Sequence, residues 1–414
     1  MNKFYVHTFG CKVNQYESEK IRRELLLCGM REAKELKDAG LVILNTCTVT
    51  SRADADARNF IRLCSKNNSK VVLTGCYAQR AKEYLSKIDG VCCVVPQDQK
   101  QRIVENLLSA GLVLRISNAR VDTLDGIKNH TRAFLKIQDG CNRFCTYCIV
   151  PYVRKELYSR NKNDVIKEAQ GMINKNIKEI VLCGTHTGLY PHLSDVIEDI
   201  IKIEADFRVR LSSIEINEID DKVLKIAVGN KKFCRHFHIP LQSGDNEILK
   251  KMARRYTRDF YLNRIKEIQQ LCPDISVTTD VIVGFPSEKE SAFHNTVSLI
   301  REANFLKVHI FPYSKREGTP ASRFPEQLDC SIIKQRCRFL AKISRECSKK
   351  YLKNFRGKKV DVLIEKNKEG FSYGYSSNYI PVYVDKQCPA NEFVRVRISE
   401  EYKNGVKGEI DETD

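Results

Sequence analysis

The first hundred residues alternate short apolar runs with segments whose apolar positions recur every three or four residues. KFYVHTFG, LVILNTC and KVVLTGC are runs of strand length, while QYESEKIRRELLLCGM, DADARNFIRLCSK and AQRAKEYLSKI carry the helical period. That rhythm predicts an α/β fold that begins with a doubly wound parallel sheet covered by helices. Further along, RAFLKIQDG, EIVLCGTH, RVRLSSIEI, FCRHFHIPLQS, ISVTTDVIVGF and FLKVHIFPYS read as six strands. They are separated by helical stretches such as NDVIKEAQGMINKN and RDFYLNRIKEIQQL. Six parallel strand-helix units predict a partial (β/α)6 barrel with its functional rim at the carboxyl ends of the strands. SIIKQRCRFLAKISRECSKKYLKNF reads as a helical bridge. KKVDVLIE, FSYGYSSNYIPVYV and FVRVRIS then alternate around Gly and Asn turns, as in a small antiparallel β-barrel. The expected domains are residues 1–125, 126–355 and 356–414.

Cysteines punctuate this pattern. Cys11, Cys47 and Cys76 each stand where one of the first three strands ends. Open parallel sheets bind ligands at those ends, so the three are expected to converge on one rim. A second set, Cys141, Cys145 and Cys148, follows the next strand in DGCNRFCTYCIVP. Three thiolates at CxxxCxxC can hold three irons of a 4Fe-4S cluster and leave the fourth iron open. The rival reading is zinc completed by a distant ligand, with His186, His236 and His238 available. Cys28, Cys64, Cys92, Cys93, Cys234, Cys272, Cys330, Cys337, Cys347 and Cys388 lie in helical or strand-like patterns and read as small core residues.

Composition narrows the class. With 414 residues, 42% apolar and 29% charged, the chain reads as an ordinary globular protein. No apolar run has the length of a membrane span, and MNKFYVHTFG lacks the features of a signal peptide, so a cytoplasmic location without a membrane is expected. Seventeen cysteines, an odd number, point to metal ligation rather than a disulfide framework in that compartment. The net charge of +18 favours a polyanionic partner. Residues 126–355 hold 40 basic and 27 acidic side chains, residues 1–125 hold 20 and 14, and residues 356–414 hold 10 and 11.

Taken together, IQDGCNRFCTYCIVPYVR, TFGCKVNQYES, NTCTVT and TGCYAQ resemble the methylthiotransferase family of radical S-adenosylmethionine enzymes. The final segment resembles the family's RNA-binding TRAM domain. The resemblance implies that Cys141, Cys145 and Cys148 ligate the cluster that cleaves S-adenosylmethionine, and that Cys11, Cys47 and Cys76 hold a second 4Fe-4S cluster with an open iron. A bond such as C2–H of adenine is too strong and too weakly acidic for a side-chain base, so it calls for a radical formed by a metal cofactor. In the family the second cluster presents the sulfur that this radical meets. Contacts to S-adenosylmethionine are implied at Gly184, Thr185, Ser213, Glu215, Gln242 and Ser243. Arg154, just past the cluster loop, is the candidate catalytic residue, suited to pair with a carboxylate or phosphate. Three positions depart from the family pattern: Lys155 and Ser287 replace glycines, and Ile216 replaces a proline.

Among the family's branches, TFGCKVNQYES, NTCTVTSRADADAR, CGTHTGLY and FPYSKREGTPA resemble the one acting on threonylcarbamoyladenosine at position 37 of tRNA. Its substrate carries a carboxylate, so the pocket should need a cation; Lys155 and Arg160 join Arg154 as candidates. Tyr373, Tyr375 and Tyr379 are candidate stacking surfaces for the anticodon arm. An electron donor such as a flavodoxin or ferredoxin is implied. Two alternatives stay open: the isopentenyladenosine branch, and a non-enzymatic RNA-binding protein in which metal only stabilises the fold.

Overall fold

The computed structural model describes residues 3–113 and 131–412. The expected boundary at residues 125–126 lies outside the described residues. Contacts group the described chain into two compact units, one of residues 3–113, 138–159 and 314–322, the other of residues 131–137, 160–313 and 323–412.

The first unit is built on β1 (Lys3–Thr8), β2 (Arg31–Glu32), β3 (Leu41–Thr46), β4 (Lys70–Gly75) and β5 (Val91–Pro96). All pairs are parallel, in the order β2-β1-β3-β4-β5. Its helices are α1 (Lys12–Leu27), α2 (Ser51–Lys66), α3 (Cys76–Arg80), α4 (Lys82–Leu85) and α5 (Ile103–Ser109). Every residue of β3 is buried, as a continuous apolar run in a parallel sheet requires. Alternation splits its side chains. Leu41 and Ile43 join Ile21, Leu25, Ile103 and Leu107 on one face, while Val42 and Leu44 join Ala57, Ile61, Tyr77 and Leu85 on the other. The expected doubly wound sheet is therefore present, and its order reverses direction between β1 and β3. A crevice outside the carboxyl ends of two such strands is the usual ligand site of open α/β sheets.

β6 (Arg132–Asp139) runs from the second unit into the first, where Gln138 and Asp139 pair antiparallel with β7 (Tyr158–Ser159). α6 (Val150–Val153) lies between these two strands in the chain.

In the second unit, β6, β8 (Glu179–Gly184) and β9 (Arg208–Leu211) are neighbours in that order. β10 (His236–His238), β11 (Ser276–Val283) and β12 (Lys307–Pro312) continue in chain order with parallel pairing. A parallel bridge between Val209 and Phe233 links the two sets, with Cys234 N donating to Val209 O at 2.8 Å. All six expected strands thus occur as one run. The helices are α7 (Lys162–Asn174), α8 (Leu193–Ile201), α9 (Asp221–Gly229), α10 (Asn246–Lys251), α11 (Arg258–Leu271), α12 (Glu290–Ala303) and α13 (Cys330–Lys353). Asn161, Asp220, Asp245, Thr257 and Asp329 cap five of them by accepting first-turn amides.

A closed barrel follows: β13 (Lys359–Lys368), β14 (Phe371–Ser376), β15 (Pro381–Val384), β16 (Phe393–Tyr402) and β17 (Gly405–Ile410), ordered β13-β14-β15-β17-β16. FSYGYSSNYIPVYV, expected to alternate around Gly and Asn turns, forms β14 and β15 with a turn between them in which Tyr379 has φ +62°. The barrel is antiparallel except where β15 and β17 pair in parallel. Its core of Val362, Ile364, Val382, Val384, Val396 and Ile398 merges with Tyr351, Leu352 and Phe355 from the end of α13 and just beyond. Of the cysteines expected in cores, Cys92 and Cys330 are exposed.

Candidate active site

The first three cysteines occupy the carboxyl rim of the first unit's sheet. Cys11 caps α1 directly after β1, Cys47 follows β3, and Cys76 opens α3 at the end of β4. Two glycines let these loops close together. Gly10 has φ +107°, and a Cβ there would stand 2.8 Å from Cys47 Cβ and 3.1 Å from its Sγ. Gly75 has φ +96°, with Thr46 O only 2.3 Å from the place a Cβ would take. Asn14 Nδ2 ties the same loops by donating to Phe9 O at 2.8 Å and Thr46 O at 3.1 Å.

Burial pushes the Cys47 thiol up to about 12, with Cys76, Cys11 and Asp54 adding to the rise against a backbone hydrogen bond from Val49. The Cys47 sulfur thus feels the other two. Cys47 and Cys76 are buried and Cys11 is exposed; buried thiolates need a cationic metal centre to stay charged, and this donor set fits an iron-sulfur cluster with three protein ligands. Asp54 anchors the Cys47 loop, accepting from Thr48 Oγ1 (2.6 Å), Arg80 (2.8 Å) and Arg316 (2.6 Å). Arg316 comes from the FPYSKREGTPA stretch, whose place in a site the sequence left unspecified.

The CxxxCxxC loop belongs to the same unit. Gly140, at φ +78°, is pressed onto the backbone, since a Cβ there would meet Glu156 O at 2.0 Å. Gln138 Nε2 donates to Asp139 O and Gly140 O, both at 2.7 Å. Cys148 N donates to Cys145 O at 2.9 Å, and Ala321 N to Thr146 O at 2.8 Å. Cys145 is buried, and Cys141 and Cys148 are half-buried. Ile149 and Val153 then pack against Cys76.

Arg154 closes this arrangement, in a way the sequence did not predict. Its Nη1 donates to Glu17 Oε1 (2.9 Å) and to Asp139 (2.7 and 2.9 Å). Its Nη2 donates to Asn14 Oδ1 (2.8 Å) and Glu17 Oε2 (2.9 Å), and its Nε to Cys76 Sγ at 3.3 Å. All five guanidinium N–H groups are thereby used inside the unit, so the expected pairing of Arg154 with a substrate carboxylate or phosphate does not hold. Burial alone would lower its pKa, but Glu17, Cys76 and Asp139 together hold it well above the usual arginine value. Lys100 extends the network to Glu17 Oε2 (2.7 Å) and Asn45 Oδ1 (3.0 Å). A signal for these partners does exist. Asn14, Glu17 and Ser18 occupy the inward stripe of α1 where Ile21 and Leu25 stand further along.

In the second unit the six expected cofactor residues all lie at or beyond strand carboxyl ends. Gly184 ends β8 and Thr185 follows; Ser213 and Glu215 follow β9; Gln242 and Ser243 follow β10. Their environments differ. Gln242 turns at φ +65° and holds a buried Oε1 without a partner, an acceptor of the kind a bound molecule satisfies. Glu215 accepts from Arg254 Nη2. Ser243 is fully buried, with its hydroxyl 3.4 Å from Thr296 Oγ1 and accepting from Asp245 N at 3.3 Å, so it supports the wall rather than facing a cofactor. The histidines offered to zinc have partners of their own. His186 meets Glu218 at 2.8 Å, and His236 and His238 each meet Thr278 Oγ1 at 2.9 Å. His238, Asp280 and His309, which no motif flagged together, bring one donor atom each within 4.8 Å.

The substrate candidates also separate. Lys155 is exposed, whereas Arg160 pairs with Glu168 (2.7 Å) and donates to Lys136 O (3.0 Å). Tyr379 does not present a free face. Its hydroxyl accepts from Arg132 at 2.7 Å, its ring stacks on Tyr375 at 4.6 Å, and the Arg210 guanidinium lies 4.1 Å from its centroid. Tyr375 is further covered by Arg132 at 5.2 Å. These two rings join the barrel to the arginines around Glu179 and are withdrawn as base-stacking surfaces. Tyr373 donates its hydroxyl to Tyr375 Oη at 2.9 Å and also meets Tyr383 at 5.1 Å, in a face that continues through Phe371 and Tyr402. Lys366, Lys403 and Lys407 stand 5.4, 5.2 and 5.6 Å from those rings. Period-two spacing in FSYGYS was the signal for this face. Among the described residues, no helix is long and apolar enough to cross a membrane.

Comparison with known proteins assigns the whole. Residues 3–109 match Uncharacterized protein family UPF0004, and residues 135–300 match the Radical SAM superfamily. The chain is 37% identical to the threonylcarbamoyladenosine tRNA methylthiotransferase of Bacillus subtilis, over 95% of this chain and 92% of that protein. It is 33% identical to the enzyme of the same name from Chlamydia pneumoniae, over 98% of each. The tRNA-2-methylthio-N(6)-dimethylallyladenosine synthase of Anoxybacillus flavithermus is 31% identical over 99% of this chain and 82% of its own length. Among solved structures, the radical S-adenosylmethionine methyltransferase TsrM from Kitasatospora setae, with cobalamin and an iron-sulfur cluster bound, shares the fold. Its TM-score is 0.57 at 12% identity, covering 90% of this chain and 77% of that one. With this identity sustained over nearly its full length, the chain belongs to the radical S-adenosylmethionine tRNA methylthiotransferase family, enzymes that work with S-adenosylmethionine and 4Fe-4S clusters.

Proposed function

We propose that this enzyme converts N6-threonylcarbamoyladenosine at position 37 of tRNA to its 2-methylthio derivative, with one 4Fe-4S cluster on Cys141, Cys145 and Cys148 and a second on Cys11, Cys47 and Cys76. The observation that carries the reading is the convergence of the latter three at adjacent strand ends, in the compact unit that also holds the CxxxCxxC loop. When bound, the clusters and S-adenosylmethionine supply the electron, the radical and the sulfur that no side chain can provide. The chain's own residues hold and orient. Gly10, Gly75 and Asn14 bring the thiols together, and Asp54 with Arg316 fixes the Cys47 loop. Gly184, Thr185, Ser213, Glu215 and Gln242 offer polar groups to S-adenosylmethionine.

Substrate choice follows from charge. The threonylcarbamoyl group ends in a carboxylate, and Lys155 is the exposed cation left to meet it once Arg154 and Arg160 are engaged. The identity to threonylcarbamoyladenosine enzymes supports the same choice over isopentenyladenosine. Residues 356–414 form the RNA-binding module, through Phe371, Tyr373, Tyr383 and Tyr402 with the lysines above them. The reductant is a flavodoxin- or ferredoxin-type protein, and the setting is the cytoplasm.

Nucleoside mass spectrometry of tRNA from cells lacking the gene tests the assignment. The methylthio derivative of threonylcarbamoyladenosine should disappear; loss of the isopentenyl form instead would reverse the substrate. Anaerobic reconstitution should give two 4Fe-4S clusters per chain, with one lost in Cys47→Ala and the other in Cys145→Ala.

A further inference from the structure

We propose that Arg154 is a positioning residue for the cluster on Cys11, Cys47 and Cys76, acting through its Nε–H hydrogen bond to Cys76 Sγ. The inference rests on the ligand assignment above and goes beyond it, since it gives a residue of the CxxxCxxC segment a function at the other cluster.

The contact is well defined. Nε lies 3.3 Å from the sulfur, and the side chain starts where α6 ends, with Ile149 and Val153 of the same segment packed on Cys76. The guanidinium cannot rotate without breaking several bonds. Glu17 holds both Nη atoms at 2.9 Å, Asp139 holds Nη1 at 2.7 Å, and Asn14 holds Nη2 at 2.8 Å. Charge is matched in the same place, because Arg154 and Lys100 face Glu17 and Asp139. What reaches Cys76 is therefore chiefly an oriented N–H dipole rather than a net positive field.

Hydrogen bonds to ligand sulfur are among the levers that set a cluster's potential, and partners behind the ligands orient them. Donation to sulfur withdraws electron density and so favours the reduced form. Losing the bond should make the cluster harder to reduce. A lysine at the same position keeps the charge but cannot hold Glu17 with two nitrogens while aiming a third N–H at Cys76.

The test uses the full chain with Cys141, Cys145 and Cys148 replaced by alanine, so that only the N-terminal cluster forms. After anaerobic reconstitution, iron is counted and the cluster is titrated by electron paramagnetic resonance, with and without Arg154→Lys. The expected result is unchanged iron, a midpoint potential moved to more negative values and an altered spectrum. In the complementary chain lacking Cys11, Cys47 and Cys76, the same substitution should leave the remaining cluster's potential where it was. An unmoved potential and spectrum at full iron content would overturn the proposal. Should Arg154→Lys fail to fold or to bind iron, the unsubstituted guanidinium is read directly: with arginine labelled by nitrogen-15, pulsed electron paramagnetic resonance of the reduced N-terminal cluster should show a nitrogen-15 coupling from the Nε beside Cys76. No coupling would count against the idea equally. If the chain with Cys11, Cys47 and Cys76 intact takes up no cluster at all, the ligand assignment falls, and this inference with it.

Discussion

Replacing Glu179 by glutamine tests how the second unit is held together. Glu179 opens β8 with no exposed surface and faces three cations: Arg208 at 2.6 Å, Arg210 at 3.1 Å and Arg132 at 3.6 Å. Burial is the largest single influence and pushes its carboxyl up, yet the three guanidiniums outweigh it and hold the group at about 2 instead of 4.5. That difference, at about 1.36 kcal/mol for each pKa unit, is worth roughly 3 kcal/mol. Because the folded value is depressed, the contribution is complete above 4.5 and fades as pH falls toward about 2. A glutamine would leave two buried guanidiniums and the half-buried one of Arg132 around a neutral amide, and breaking such a set by removing one partner costs about 3–5 kcal/mol. The loss reaches the C-terminal barrel, because Arg132 and Arg210 are the residues that grip Tyr379. Urea unfolding at pH 7, followed by circular dichroism, should show a destabilisation in that range. A second replacement, Arg208→Gln, should recover part of it, since it removes one unpaired charge. A loss below about 1 kcal/mol, the scale of an exposed ion pair, would refute the reasoning. So would an unchanged slope of stability against pH between 4.5 and 2 in the variant.

Other substitutions probe the site. Gly10→Ala combines a φ of +107° with a contact of 2.8 Å to Cys47 Cβ, so the N-terminal cluster should lose iron while the CxxxCxxC cluster keeps it, as an iron count on each cysteine background would show. Ser287, which stands where the family pattern has glycine, sits at φ +67°; Ser287→Gly should raise stability by about 1 kcal/mol in thermal unfolding, and no gain would argue against backbone strain there. Tyr383→Ala should weaken tRNA binding by about 1–3 kcal/mol in a filter or fluorescence assay, and Lys403→Glu should lower the salt dependence by about one counterion. Tyr379→Ala should instead be read as a loss of stability.

Legibility in the sequence followed the range of the interactions involved. The six strands of the partial barrel and the cysteine positions could be read because apolar period and strand ends are local features. The turn at Tyr379 is local, with Tyr379 N donating to Ser376 O at 3.0 Å, but the covering of its ring was not legible, because Arg132 and Arg210 come from strands far away in the chain. Arg154 was recognised as special for the wrong reason. An arginine after a cluster loop suggests an anion, but its anions are Glu17 and Asp139, the first of them supplied by α1 far away in the chain. The burial of Ser243 was equally hidden, because the motif shows a residue just past a strand end while Thr296, its neighbour in the wall, comes from a distant helix.

The same contrast explains why the rim needs glycines as well as cysteines. β1, β3 and β4 are successive neighbours in the sheet, and strands lie about 4.8 Å apart, so the ends that carry Cys11 and Cys76 are separated by roughly 10 Å. Thiolates on three irons of one cluster must come closer than that, so the outer loops have to lean inward over Cys47. A left-handed residue just before each outer cysteine does this, and only glycine adopts it freely with another backbone or side chain so near. Gly10 and Gly75 stand in those two places, and the central Cys47 is preceded by Thr46 in ordinary strand conformation. The asymmetry of glycine, threonine and glycine before the three cysteines is therefore what three adjacent parallel strands must show if they are to share one metal centre.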